Sequence, residues 1–518
     1  MMRSFFLGSV SLVLVFLCAL LGAGPERTVK VHLRLLDAAT GKDRAGIVRV
    51  IRDQERKAIG LPGLLDRFQG LKVPQDIWGW HVLPAAGAQL TLPRGKIRLE
   101  ALSGLETALV SKEFDLSKDP PQEITIKVDT IFLPEKDNLA SGNTHLHLMN
   151  LSKDQADEYL GQIPAADNIR VMFISYLERH KDDLTYITNR YPIGDLGRFQ
   201  ATGVLFNNGE EHRHNFKAYG QGYGHVMFLN IKELVKPVSL GPGITGSGFD
   251  DRALQPGIEN ARGQGGTVIW CHNTFGYEDV LNALAGRLHA LNVFDGSRKD
   301  GYEDNYYRYL NIGMRLPIST GTDWFLYDFS RVYVQVPGKL TIPNWLEGLK
   351  AGRNVVTNGP LLTLTVDGKN IGDTIRLAEP KTVRIEAGGI GRNDFQKLQL
   401  IHNGKVVKTE SAAGKNSYRA KLVQQIRIDE PGWLAVRIDS PARNELGQVL
   451  FAHSSPVYVE YQGKSRFDIE AARGLLKQIE EGRAAIRAQG HFSNTQARDR
   501  ILASYDQAAN DLRKRINK

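Results

Sequence analysis

His145 and His147 stand one residue apart in the run Ser141-Gly142-Asn143-Thr144-His145-Leu146-His147. On an extended segment that spacing puts both rings on one face, because strand side chains alternate with period two. Two imidazoles on one face can hold one metal ion, or they can be ordinary core histidines. The residues that follow favour the metal. Glu210 and Glu211 come after Asn207-Asn208-Gly209, and His225 comes after Gly222-Tyr223-Gly224. His272 closes the apolar run 267–271, and Asp323 follows Gly321-Thr322. Imidazole plus carboxylate is a donor set that suits zinc, iron or manganese. One carboxylate shared by two ions would make the centre dinuclear and would activate water at neutral pH.

These residues need strands to carry them. Residues 131–360 alternate apolar strand-like runs with helical stretches, which predicts an α/β domain. The runs 169–175, 267–272, 290–294 and 316–319 read as strands, 154–161 reads as a helix, and another helix ends near Gly263. Short strands separated by helices predict a barrel with its chemistry at the strands' C-terminal ends. Residues 25–130 read as all-β, with the alternating pair 88–92 and 96–101 joined through the turn Pro93-Arg94-Gly95. Their order resembles transthyretin-like or carboxypeptidase-regulatory β-sandwiches, which are scaffolds or adhesive modules. Residues 361–462 read as a second β-sandwich, with Asn403-Gly404 as a hairpin turn. Residues 463–518 read as a helical hairpin. Its first helix carries the apolar stripe Ile469, Ala472, Leu476, Ile479 and Ile486. Its second carries Ile501, Tyr505, Leu512 and Ile516 behind the capping box Ser493-Asn494-Thr495-Gln496. The expected fold class is therefore multidomain α/β plus all-β.

The chain has 518 residues, 42% hydrophobic and 24% charged, so most of it should form packed globular domains. Its net charge of +9 comes without any nucleic-acid-binding module, so no nucleic-acid partner is expected. Arg3 followed by the apolar run 4–24 reads as a signal peptide over residues 1–23, ending at Gly22-Ala23-Gly24. An uncleaved membrane anchor is the competing reading, since the run is near the length a bilayer requires. Either way the chain is expected to be exported: periplasmic, cell-envelope or secreted. Removing 1–23 leaves Cys271 as the only cysteine, so no internal disulfide can form. Beside His272, Cys271 should point to the opposite face of its strand as a buried structural thiol.

The run Gly142-Asn143-Thr144-His145-Leu146-His147 resembles the Gly-Asp-Leu-His-x-His opening of the CehA/McbA (carbaryl hydrolase-like) metallohydrolases, within the PHP (polymerase and histidinol phosphatase) superfamily. Gly209-Glu210-Glu211, Gly224-His225, Trp270-Cys271-His272 and Ser319-Thr320-Gly321-Thr322-Asp323 resemble that family's later ligand elements in the right order. The segment from Trp345 to Pro360 resembles the close of its catalytic domain. The resemblance implies a distorted (β/α) barrel over 131–360, flanked by the two sandwiches, and metal-dependent hydrolysis. It implies that His145, His147, Glu211 and Asp323 hold one divalent ion. Glu211, His225 and His272 would hold a second, with Glu211 bridging and Glu210 as the alternative bridge. Family members with a third ion use an Asp soon after the first pair, a Thr-Asp-His element and a final Asp-x-His. Here those places read Leu148-Met149-Asn150, Tyr176-Leu177-Glu178-Arg179-His180 and Asp323-Trp324-Phe325, so two ions are the expected maximum, with His180 as the one possible substitute. Asn143 replaces the family's usual Asp, which would weaken the orientation of His145.

His214 and Arg331 are further candidates for contact with substrate, His212 shares the polar loop with His214, and Asp295 is a candidate supporting group or proton shuttle. Tyr302, Tyr306, Tyr307 and Tyr309 read as packing first and a substrate rim second. The function expected is an exported hydrolase acting on an ester, carbamate, amide or phosphoester bond. The alternative is a metal-binding envelope protein on a degenerate barrel. No residue pattern defines the substrate or the oligomeric state.

Overall fold

A computed structural model describes residues 27–52, 57–179, 185–217, 220–273, 275–295 and 302–518 of the chain. The expected signal segment 1–23 and His180 lie outside the described residues. The chain is mixed α/β, with several sheets and a closing pair of helices.

The alternating residues of the N-terminal part bury one face of each of two sheets. One sheet orders Ala88–Pro93, Thr28–Asp37 and Glu123–Val128. The other centres on Gly46–Arg52 paired with Lys96–Leu102, which pairs in turn with Val110–Asp115. Val31, Leu33 and Leu35 from the first meet Val48, Val50, Ile97 and Leu99 from the second. The Pro93-Arg94-Gly95 turn does not make a hairpin. Ala88–Pro93 pairs with Thr28–Asp37, while Lys96–Leu102 pairs in the opposite sheet, so the turn carries the chain across the core. Its residues dictate a reversal but not the partner, which burial of both inward faces selects.

In the middle part Leu139–His147 pairs in parallel with Val171–Tyr176, which pairs in parallel with Leu205–His214. Gly224–Leu229 runs antiparallel between Leu205–His214 and Thr267–Trp270. Ala290–Asn292 and Ile318–Ser319 continue the parallel order. Beyond Gly321 the chain hydrogen-bonds to the first strand again, Leu146 opposite Asp323 and His147 opposite Trp324. The path of pairings thus returns to the strand that opened it. Gly321 makes the return possible: a Cβ there would stand 2.4 Å from His145 Cβ. The helix Lys153–Ala166 begins on a capping box in which Ser152 and Gln155 satisfy each other's backbone N–H groups.

The C-terminal part packs a five-stranded sheet against strands that continue the central one. Asn403 and Gly404, both at positive φ, turn Lys397–His402 into Lys405–Ser411 as expected. The two helices Ile469–Gln489 and Thr495–Ile516 close the chain. The second is capped by Asn494, whose side chain accepts from Ala497 N; Ser493 instead bonds Asp251. Of the neighbours Leu475 and Leu476 in the first helix it is Leu475 that is fully buried, and Ile469 is 45% exposed. The pair packs on itself and on the central part, where Gln478 donates to Asp279 and His491 N donates to Asp250. Among the described residues no helix is long and apolar enough to cross a membrane.

Candidate metal centre

The strand Leu139–His147 ends with His145 and His147 turned to one side, both fully buried. Their other ring nitrogens are tied back. His145 Nδ1 donates to Asp295 Oδ2 at 2.7 Å, and His147 Nδ1 donates to the Ser175 carbonyl at 3.0 Å. Each ring therefore presents its Nε2 lone pair inward, and the two Nε2 atoms stand 3.0 Å apart. Two nitrogens bound to one tetrahedral zinc at about 2.0–2.1 Å stand roughly 3.3 Å from each other. The pair is thus near the geometry one ion requires.

Glu211 and Asp323 complete this set. Glu211 Oε2 is 3.1 Å from His147 Nε2 and 3.9 Å from His145 Nε2. Asp323 Oδ1 is 3.5 Å from His145 Nε2. The other Glu211 oxygen faces a second set: Oε1 lies 2.8 Å from His225 Nδ1 and 3.6 Å from His272 Nε2. His225 donates its Nε2–H to Asn215 Oδ1 at 3.0 Å, and Asn215 is itself oriented by donating to Gly220 O. The His225 Nδ1 lone pair therefore meets a carboxylate oxygen, and among the described residues neither atom has another hydrogen-bond partner. Two buried acceptors placed face to face are unfavourable alone and are satisfied by a cation between them. In each of the two sets the offered donor atoms lie within 4.8 Å of one another, so these buried groups can hold a metal ion.

Strand register settles which glutamate is involved. Glu210 points to the other face, where its Oε2 accepts from Val235 N at 2.7 Å. The same parity corrects His214. Its Nε2 bonds Asp250 Oδ1 at 2.8 Å and its ring stacks on Tyr223, away from the cluster. His212 shares that outer face, stacked on Phe228. Arg213, not singled out from the sequence, shares the inner face with Glu211 and contacts Glu211 Oε2 through Nη1 at 3.2 Å. Arg331 is also far from the cluster. It is fully buried, donates to the Asp167 and Phe329 carbonyls, and lies 3.6 Å from Glu106 of the N-terminal sandwich.

No family model, curated protein or solved structure matches this chain.

The electrostatics of the centre follow from its burial and its acids. Burial disfavours charge on His145, but Asp295 above all, then Cys271 and Asp323, draws its pKa well above the ordinary value. Burial wins at His225, whose pKa falls to about 3 with Arg213 and His272 also lowering it, and at His147, which burial and then His145 lower. Burial opposes charge on Glu211 too, yet Arg213 and His225 hold its carboxyl well below the usual range. The field that attracts a proton to His145 would attract a cation to the same place. Asn143 keeps His145 in position: its Oδ1 accepts from His145 N and its Nδ2 donates to Thr322 Oγ1, both at 3.0 Å.

His272 and Asp323 sit at φ 48° and 60°, a left-handed backbone unusual outside glycine. Such strain collects at functional sites, where surrounding structure enforces it. The turn at His272 also breaks strand alternation, so Cys271 comes to lie against His145 rather than on the far face. Burial pushes its thiol pKa up, which keeps it a neutral packing group. Tyr306, Tyr307 and Tyr309 are buried, Tyr309 OH donating to Asp279 and Tyr307 OH bonding His453, so they serve packing.

Asp295 holds His145 from behind and stands 3.5 Å from His272 Nδ1. Carboxylates in that position fix the tautomer and ring angle of a ligating histidine. Asp295→Asn should weaken metal affinity roughly 10–100-fold. A chelator-competition titration reads this, with circular dichroism unchanged.

Proposed function

We propose that this chain is an exported metal-dependent hydrolase of the PHP type, with a distorted (β/α) barrel around a centre for two divalent ions. The observation that carries the reading is the double convergence on Glu211. One oxygen faces His145 and His147 and the other faces His225 and His272, while Asp323 sits with the first set through Oδ1 and comes within 3.9 Å of His272 through Oδ2. The return of the strand pairings from Asp323 to the first strand supports the barrel. The apolar run 4–24 supports export. The donor set suits zinc, iron or manganese.

Bound divalent ions would supply Lewis acidity, lowering the pKa of water and drawing charge from a scissile carbonyl or phosphoryl oxygen. The protein's own groups divide the remaining work. His145 and His147 lie deepest, fully buried, whereas His272 and Asp323 keep 8% and 9% exposure. The reacting group therefore approaches from the side of His272 and Asp323. Arg213 restrains Glu211 with one nitrogen, and its Nε and Nη2 have no partner among the described residues. Those N–H groups are available to negative charge that develops on the reacting oxygen. Asp295 and Asn143 fix His145, so the constellation is held without a contribution from substrate.

The test is metal content by elemental analysis on the protein and on His147→Ala and His272→Ala, each from a different donor set. The expected content is about two ions per chain, falling in both variants. Near zero under metal-replete conditions would overturn the reading. Turnover of nitrophenyl carboxylate and phosphate esters, abolished by Asp323→Asn, would support hydrolysis. Metal bound at full stoichiometry with no turnover on any bond class would favour the non-catalytic alternative.

A further inference from the structure

Behind the strands that carry the centre, the last helix and the segment 278–287 enclose a cleft of about 290 Å³. It does not include any residue of the metal cluster. Its inner end is formed by Glu278 and Asn282, 2% and 1% exposed. Glu278 Oε2 accepts from Leu254 N at 3.0 Å, and Asn282 Nδ2 donates to Glu278 O at 2.9 Å. These bonds leave Glu278 Oε1 and Asn282 Oδ1 without partners among the described residues. Both are acceptors, at the buried end of an open cleft. Leaving such groups unpaired is costly, and more so for a charged one.

The walls and mouth have a different character. Leu281 and Leu512 are buried and line the sides. Arg287 and Arg515 stand nearer the solvent. Arg515 uses Nη2 on the Ile312 carbonyl and lies over Phe467, which fixes its guanidinium at the cleft. From inside to outside the cleft thus offers two acceptors, an apolar passage and a mouth where Arg287 and Arg515 stand with Asp511, Arg287 lying 3.6 Å from Glu259. An ammonium group has three donors and no acceptor, which matches the inner end. A carboxylate matches a guanidinium at the mouth.

We propose that this cleft is a second ligand site, for a small linear aminocarboxylate whose ammonium binds Glu278 and Asn282 and whose carboxylate meets Arg287 and Arg515. Burial raises the pKa of Glu278 to about 7, so an ammonium partner would draw it to the charged form it otherwise resists.

Isothermal titration of the full protein with 6-aminohexanoate, n-hexylamine and hexanoate tests this. The expected result is one saturable site for 6-aminohexanoate, with hexylamine weaker and hexanoate not bound. Glu278→Gln should weaken 6-aminohexanoate at least about tenfold. Arg515→Ala, a surface change that leaves the buried end intact, should weaken 6-aminohexanoate while leaving hexylamine unchanged. Thermal melts of each variant establish that it is folded. Absence of binding by all three probes at millimolar concentration would overturn the proposal. So would 6-aminohexanoate binding that survives both substitutions, or hexylamine binding as tightly as 6-aminohexanoate.

Discussion

Glu211→Gln should remove metal from both donor sets at once. Glu211 offers Oε2 to His145 and His147 and Oε1 to His225 and His272, so it is the one group both sets share with a full negative charge at their centre. An amide of the same size retains one carbonyl oxygen, loses the charge and turns an NH₂ toward one imidazole lone pair. Loss of an outer supporting partner costs about 10–100-fold in affinity or activity, and loss of the shared inner carboxylate should exceed that. Metal content should drop to less than one ion per chain and turnover should fall below detection. Elemental analysis beside initial rates checks this, with Glu210→Gln as the control. Glu210 occupies the opposite face and bonds Val235 N, so its substitution should leave metal content unchanged. Equal losses from both substitutions would contradict the assignment of Glu211 as bridge.

The second large effect is on stability. Arg67 and Asp167 form a fork-to-carboxylate pair with both side chains fully buried, joining the N-terminal sandwich to the helix that follows the histidine strand. Arg67 also donates to Leu326 O, and Arg331 donates to Asp167 O, so the pair anchors the segment just beyond Asp323. Removing one partner of a buried pair leaves the other desolvated and uncompensated, at about 3–5 kcal/mol. Arg67→Ala should therefore lower the denaturant midpoint sharply. Arg67→Met with Asp167→Leu should recover much of the loss, because replacing a whole buried pair by apolar groups is often nearly neutral. A double-substituted protein as unstable as Arg67→Ala would show that the contact with Leu326, not the ion pair, dominates.

The metal cluster was legible because its members are chemically distinctive and fall where apolar runs end. His145, His147, Glu211, His225, His272 and Asp323 could be named from type and place, and the structure brings all six together. Arg213 was legible in principle. Counting in twos from Glu211 selects Arg213 and excludes His214, the same parity that pairs His145 with His147. Cys271 shows where parity fails: the left-handed turn at His272 is imposed by the surrounding fold and leaves no local mark. Arg331 looked like a site residue because it opens a strand near Asp323. Its partners Glu106 and Asp167 come from distant stretches, and no local pattern reports such packing. The Pro93-Arg94-Gly95 turn is the same lesson in the backbone: turn chemistry is local, whereas the choice of strand partner belongs to the whole core.

The expected boundary near 360 is crossed by hydrogen bonds. Leu139–His147 pairs with Arg331–Gln335, which pairs with Asn354–Thr357, which pairs with Ala452–Ser454 of the C-terminal sandwich. The histidine strand is three ladders away from a domain that looks separable on paper. Such an arrangement makes the chain a poor source of interchangeable parts. Cutting after 360 would bare the edge of Asn354–Thr357, a buried strand left with no covering partner on that side, and would invite pairing between copies. Gene fusions or shuffled homologues that treat the sandwich as an accessory cassette should fail by aggregation, and lineages carrying this centre should inherit the two units together.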